Sequence, residues 1–155
     1  MKNTINKEMA RKLRLENTAL SPELVSAYEA TYFHVKADPA FILVIGSKSN
    51  ELEMLFNSSG YKTAAFITAS NPFSKSLSDE ENLLRNNQLR SDLITMSLEF
   101  IEGFGQDPLG EWPGEDSYLV MGIDYETASE LGVKYEQNGI VLIDNNATPE
   151  LILLR

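Results

Sequence analysis

Cysteine is missing from this chain, and histidine and tryptophan occur once each, as His34 and Trp112. Without cysteine there is no thiol nucleophile, no thiolate metal ligand and no disulfide framework. A single histidine rules out the usual zinc ligand sets. It also makes any Ser-His-Asp triad depend on His34, and no Gly-x-Ser-x-Gly elbow presents a serine to it. His34 alternates with Tyr32 and Ala30 in a β-rich run, where a structural role is expected. No apolar run nears the roughly 18 residues of a membrane span, and no signal-peptide hydrophobic region opens the chain. A cytoplasmic protein without membrane contact is the expectation.

Basic side chains are the next scarcity. The net charge is −10, and residues 1–16 carry five basic against two acidic groups, +3, which leaves −13 on the rest. Such a body repels phosphate backbones, and its later Lys and Arg residues are scattered, so no nucleic-acid partner is expected. No acidic residue stands two positions before a lysine, the alternating pair with which common metal-dependent nucleases hold metal and polarise water. No metal site is assigned, although Asp79, Glu81, Glu115 and Asp116 leave a carboxylate magnesium site open. The sequence leaves the use of a cofactor unknown. Gly46-Ser47-Lys48-Ser49 lacks the first glycine of a phosphate loop and has Ser47 between glycine and lysine, so a strand stop followed by a helix cap suits it better.

What remains is enough for one domain, since 155 residues bury roughly two thirds of the unfolded surface in a single core. Residues 1–20 form a basic extension in which Ile5, Met9 and Leu13 recur at helical spacing, and residues 21–155 form the domain proper, with Ser21-Pro22 at the boundary. Tyr28–Val35 and Phe41–Ile45 are expected as a strand pair turned through Lys36-Ala37-Asp38-Pro39. Asn50 and Glu53 suggest a capping box for a short helix that stops near Gly60. Residues 64–69 are almost wholly apolar, the pattern of a strand buried on both faces. Ser78 and Glu81 form a second capping box, opening a helix to about Ser97 whose stripe is Leu89, Leu93 and Met96, flanked by Leu83 and Ile94. Further strands are expected over 99–104, 117–123, 139–143 and 151–154, with a helix from about Tyr125 that turns Ala128, Leu131 and Tyr135 to one side. Together these predict an α+β fold, a mixed, mostly antiparallel sheet with helices packed on it.

Polar groups concentrate where the 64–69 strand ends and the Ser78 helix begins. Pro72 stops further ladder pairing, and Asn82, Arg85 and Asn86 continue the inward Leu89 stripe, so they must find partners or a ligand. Arg85 offers a planar fork suited to carboxylate or phosphate. The alternative is that Arg85 pairs with Glu115 or Glu81, while Asn71 and Asn82 satisfy backbone groups around a tight turn. Trp112, in a Gly/Pro-punctuated loop over 103–115, could stack on a ligand or lid the core. Glu115 beside it could act as acid or base if burial raised its pKa.

These motifs resemble the bacterial domain of unknown function 3293 family, from about Tyr28 onward. The resemblance rests on Phe66-Ile67-Thr68-Ala69 with Asn71-Pro72, Leu77-Ser78 with Glu81-Asn82 and Arg85, Asp107-Pro108, Gly110 with Trp112, Glu115 with Ser117, and Gln137-Asn138 before Ile140. Ser70 stands where the family usually has an aromatic residue. The resemblance assigns no activity, but it implies that Thr68, Asn71, Asn82, Arg85, Trp112, Glu115 and Gln137 belong together. The expectation is a small polar or anionic ligand at the Thr68–Asn71/Asn82–Arg85 junction: Arg85 holds it, Asn71 and Asn82 orient it, Trp112 covers it, and Glu115 is the candidate catalytic group. Whether a reaction follows is left open. The alternative is a non-catalytic acidic module that engages a basic protein partner.

Overall fold

The computed structural model describes residues 18–155. The expected basic extension therefore lies outside the described residues except for 18–20, where the Thr18 hydroxyl donates to the Arg155 carbonyl at 2.5 Å. The chain runs α1 (Pro22–Ala30), β1 (Tyr32–Val35), β2 (Phe41–Val44), α2 (Asn50–Ser59), β3 (Ala64–Ile67), a 3-10 turn (Pro72–Ser74), α3 (Asp79–Thr95), β4 (Phe100–Gln106), β5 (Glu115–Met121), α4 (Tyr125–Lys134), β6 (Gly139–Ile143) and β7 (Pro149–Leu153). The strands form one sheet in the order β2-β1-β4-β5-β3-β6-β7. The domain is α+β, and the sheet is antiparallel at every pairing rather than mixed. It curls enough that Gly46, just past β2, donates its N–H to the Pro149 carbonyl at the start of β7.

Both faces of the sheet are covered, which is why β3 is apolar throughout. Ala65 and Ile67 pack with Leu89 and Leu93 of α3, Ala128 and Leu131 of α4, and Tyr118, Val120 and Ile140 of neighbouring strands. Ala64 and Phe66 point the other way, to Leu52 and Phe56 of α2 with Phe33, Leu43, Leu119 and Val141. Alternate residues of one strand thus serve two cores. His34 stacks on Phe104 with ring centroids 4.3 Å apart and takes the structural place expected for it.

Several local expectations are corrected. Tyr28 belongs to α1 and not to the first strand, because Ser21 accepts the Leu24 N–H and Pro22 presets the first turn. Ser49, not Asn50, caps α2 by accepting the Leu52 N–H at 3.1 Å. Glu115 is the first residue of β5, paired with Gly105, and not part of the loop. On α3 the inward stripe holds Asn86, Leu89 and Leu93, whereas Leu83, Ile94 and Met96 are exposed. The helix start lies over a loop whose backbone needs polar partners, and that demand turns Asn82, Arg85 and Asn86 inward. Among the described residues no helix is long and apolar enough to cross a membrane.

Candidate functional site

Beyond β3 the chain makes a loop from Thr68 to Leu77, and α3 starts immediately after it. Ser78 fixes that start: its hydroxyl accepts the Glu81 N–H and donates to the Glu81 carboxylate, at 3.1 and 3.0 Å. The loop holds Asn71 (φ 47°), Phe73 (φ 52°) and Ser74 (φ 60°) in the left-handed region, where glycine is the usual occupant. Non-glycine residues stay there only when the surroundings over-determine the backbone.

The over-determination can be traced bond by bond. Asn82 Oδ1 accepts the Asn71 N–H at 2.9 Å, and Asn82 Nδ2 donates to Asn71 Oδ1 at 2.8 Å. Asn71 Oδ1 also accepts the Leu77 N–H, closing the loop, and Asn71 Nδ2 donates to Glu115 Oε2 at 2.7 Å. Asn86 is buried, accepting from Ala69 N and donating to Ser70 Oγ. Ser70 is thus a buried hydroxyl that an aromatic ring could not replace in this bond. Thr68 donates to the Asp116 carbonyl at 2.6 Å and accepts the Ser70 N–H.

Arg85 uses its fork on backbone. Nε donates to the Ala69 carbonyl and Nη2 to the Tyr135 carbonyl, both at 2.6 Å, and Nη1 lies 3.5 Å from Glu136 Oε1. Neither Glu115 nor Glu81 is its partner. Gln137 Nε2 donates to the Ser70 and Tyr135 carbonyls at 3.0 Å each. The structure therefore brings Thr68, Asn71, Asn82, Arg85, Glu115 and Gln137 into one network that clamps the loop to the 135–137 turn.

Trp112 stands apart. Its side chain is 61% exposed, at the tip of a loop organised by Asp107, whose carboxylate accepts the Glu111 and Trp112 N–H groups. Those bonds hold the Asp107 carboxyl below its ordinary pKa. No hydrogen bond of the network reaches Trp112 among the described residues.

Glu115 is the group whose chemistry is least settled by the network. Burial pushes its carboxyl pKa up, and the bond from Asn71 pulls it back only in part. Its second oxygen, Oε1, takes no hydrogen bond from a described residue. Among the described residues no three carboxylate or histidine side chains gather as metal ligands. A separate groove of about 220 Å³ lies between α3 and α4, lined by Asp92, Thr95, Met96, Glu130, Leu131 and Lys134, and none of the predicted site residues borders it. Asp92 there already accepts from Tyr135 and Lys134, at 2.5 and 2.7 Å.

Sequence reasoning placed Asn86 on the inward stripe but not in the site, although its spacing four residues after Asn82 carried the signal. Glu136, Ser70 and the carbonyls of Ala69 and Tyr135 carried no such signal.

The molecule is thus a single α+β domain with a polar clamp at one end of its sheet. The family model described as "Protein of unknown function (DUF3293)" matches residues 67–140, a segment that contains every residue of the clamp. The chain resembles that family over this segment. Comparisons with curated proteins and with solved structures give no match.

Proposed function

We propose that this chain binds a small polar molecule where the Thr68–Leu77 loop meets Glu115. The ligand meets Glu115, and Thr68, Asn71, Asn82, Arg85 and Gln137 are the frame that fixes the site. The observation that carries the reading is the placement of Glu115, a part-buried carboxyl with one oxygen that takes no hydrogen bond from a described residue, against Asn71, the first of three non-glycine left-handed residues in the loop. Backbone strain of this kind clusters at ligand sites. An uncommitted carboxyl oxygen suits a hydrogen-bond donor on the ligand, an amine or a hydroxyl. The bonds from Arg85 to two carbonyls favour a framing role for it over capture of an anion. Turnover at this site would run through Glu115, since a raised carboxyl pKa suits proton exchange nearer neutrality. We assign the protein to the cytoplasm, a setting that suits a cysteine-free chain.

The test is a thermal-shift screen of the wild type and Glu115→Gln against amino acids, polyamines, nucleosides, sugars, carboxylic acids and sugar phosphates. A ligand at about a hundred times its dissociation constant adds roughly 2.7 kcal/mol, or about 5–10 °C for a chain of this size. A shift abolished in Glu115→Gln supports the reading. A shift produced only by anions and kept in the variant moves the site to Arg85, and no shift with any compound turns weight to the acidic interaction module.

A further inference from the structure

The last turn of α1 and the residue after it reach two sides of the site. Tyr28 lies in that turn, and Thr31 is the extended residue that follows the helix. The Tyr28 hydroxyl shares a 2.6 Å hydrogen bond with Ser74 Oγ, in the left-handed stretch, and Asn138 Nδ2 donates to both hydroxyls. The Thr31 methyl lies 3.5 Å from where a Cβ on Gly105 would stand, and Gly105 pairs in register with Glu115. The missing side chain of Gly105 leaves room against which the Thr31 methyl and the Phe33 ring pack. The end of α1 and the Thr31 that follows it therefore span from Ser74 to Gly105, the cross-strand partner of Glu115.

The same helix is weakly held. No residue of α1 is buried; Leu24, Val25, Ala27 and Tyr28 are half-buried, and the other five are exposed. A helix of nine residues is marginal without a buried face. Elements with so few buried contacts are the ones that open locally at little cost. Extended residues, Ser21 and Thr31, flank it at either end.

We propose that α1 is the lid of the Glu115 site, latched by Tyr28 on Ser74 and Asn138, and that its opening admits the ligand. The ligand half of this statement rests on the function proposed above. The covering of Glu115 is separately measurable.

Carboxyl labelling with a water-soluble carbodiimide and an amine, read at Glu115 by peptide mass spectrometry, tests the lid without any ligand. Exposed Glu80 and Glu111 serve as references. Glu115 should label more slowly than both in the wild type, and Tyr28→Phe, which removes the latch hydroxyl, should raise its rate about fivefold to tenfold. Ser26→Pro breaks the helix from its exposed side and should raise it at least as far. Hydrogen exchange of residues 22–31 should accelerate in both variants while β3 and β5 stay protected, which separates lid opening from general unfolding. Glu115 labelling as fast as Glu111 in the wild type, or unchanged in Ser26→Pro while the α1 amides exchange freely, overturns the lid. Glu115 unmasked by the variants together with a silent ligand screen overturns the binding reading and leaves α1 as a cover.

Discussion

Replacing Arg85 by alanine removes two hydrogen bonds from a charged donor to the carbonyls of Ala69 and Tyr135, together with a 3.5 Å pairing to Glu136. Bonds of this kind contribute about 1.5–3 kcal/mol each. Two observations lower the total. Tyr135 O keeps its bond from Gln137, and the Arg85 side chain is 24% exposed, so water reaches part of the vacated space. Glu136 is 49% exposed, and a pair so solvated adds less than about 1 kcal/mol. The expected loss is about 2–4 kcal/mol, which lowers the melting point by about 5–15 °C at this chain length. In urea the midpoint should fall while the slope holds. Arg85→Lys keeps the charge but not the fork, and should recover little. A midpoint within about 0.5 kcal/mol of the wild type would refute the framing role, because a residue serving only a ligand leaves the empty protein unchanged.

Glu115→Gln should change the pH dependence of stability. With its pKa raised by burial, folded Glu115 binds more protons than the unfolded chain between the ordinary and the raised value, so wild-type stability falls as pH rises through that window. The variant lacks this fall and should gain more over the wild type at about pH 7 than at about pH 4, the latter near the unperturbed glutamate value; urea melts giving equal differences at both would refute the shift. Gly103→Ala places a Cβ 2.2 Å from the His34 carbonyl oxygen. The β1–β4 pairing must part to admit it, so a loss of about 3 kcal/mol or more is expected in denaturant melts, and a variant as stable as wild type would contradict the register.

The sequence by itself determined what local rules can reach. The apolar run at 64–69 required a strand buried on both faces, which stands over 64–67 before the chain turns away at Thr68; Ser78 and Glu81 required a helix start, and Ala128, Leu131 and Tyr135 an inward side, and both stand in the fold. Such signals act over one helical turn or one strand alternation, so neighbouring residues carry them completely. The resemblance to a family also named the residues of the clamp, without saying what joins them. Only the tertiary structure decided that Arg85 holds the carbonyls of Ala69 and Tyr135, 16 and 50 residues away, and that Glu115 receives Asn71 from 44 residues away. A guanidinium or a carboxamide has several equivalent partners in any sequence, and the fold chooses among them by which backbone groups it buries unsatisfied. The same choice left Leu83 exposed, because the inward positions at the start of α3 went to Asn82, Arg85 and Asn86, the polar side chains that bond the 68–77 loop and its flanks.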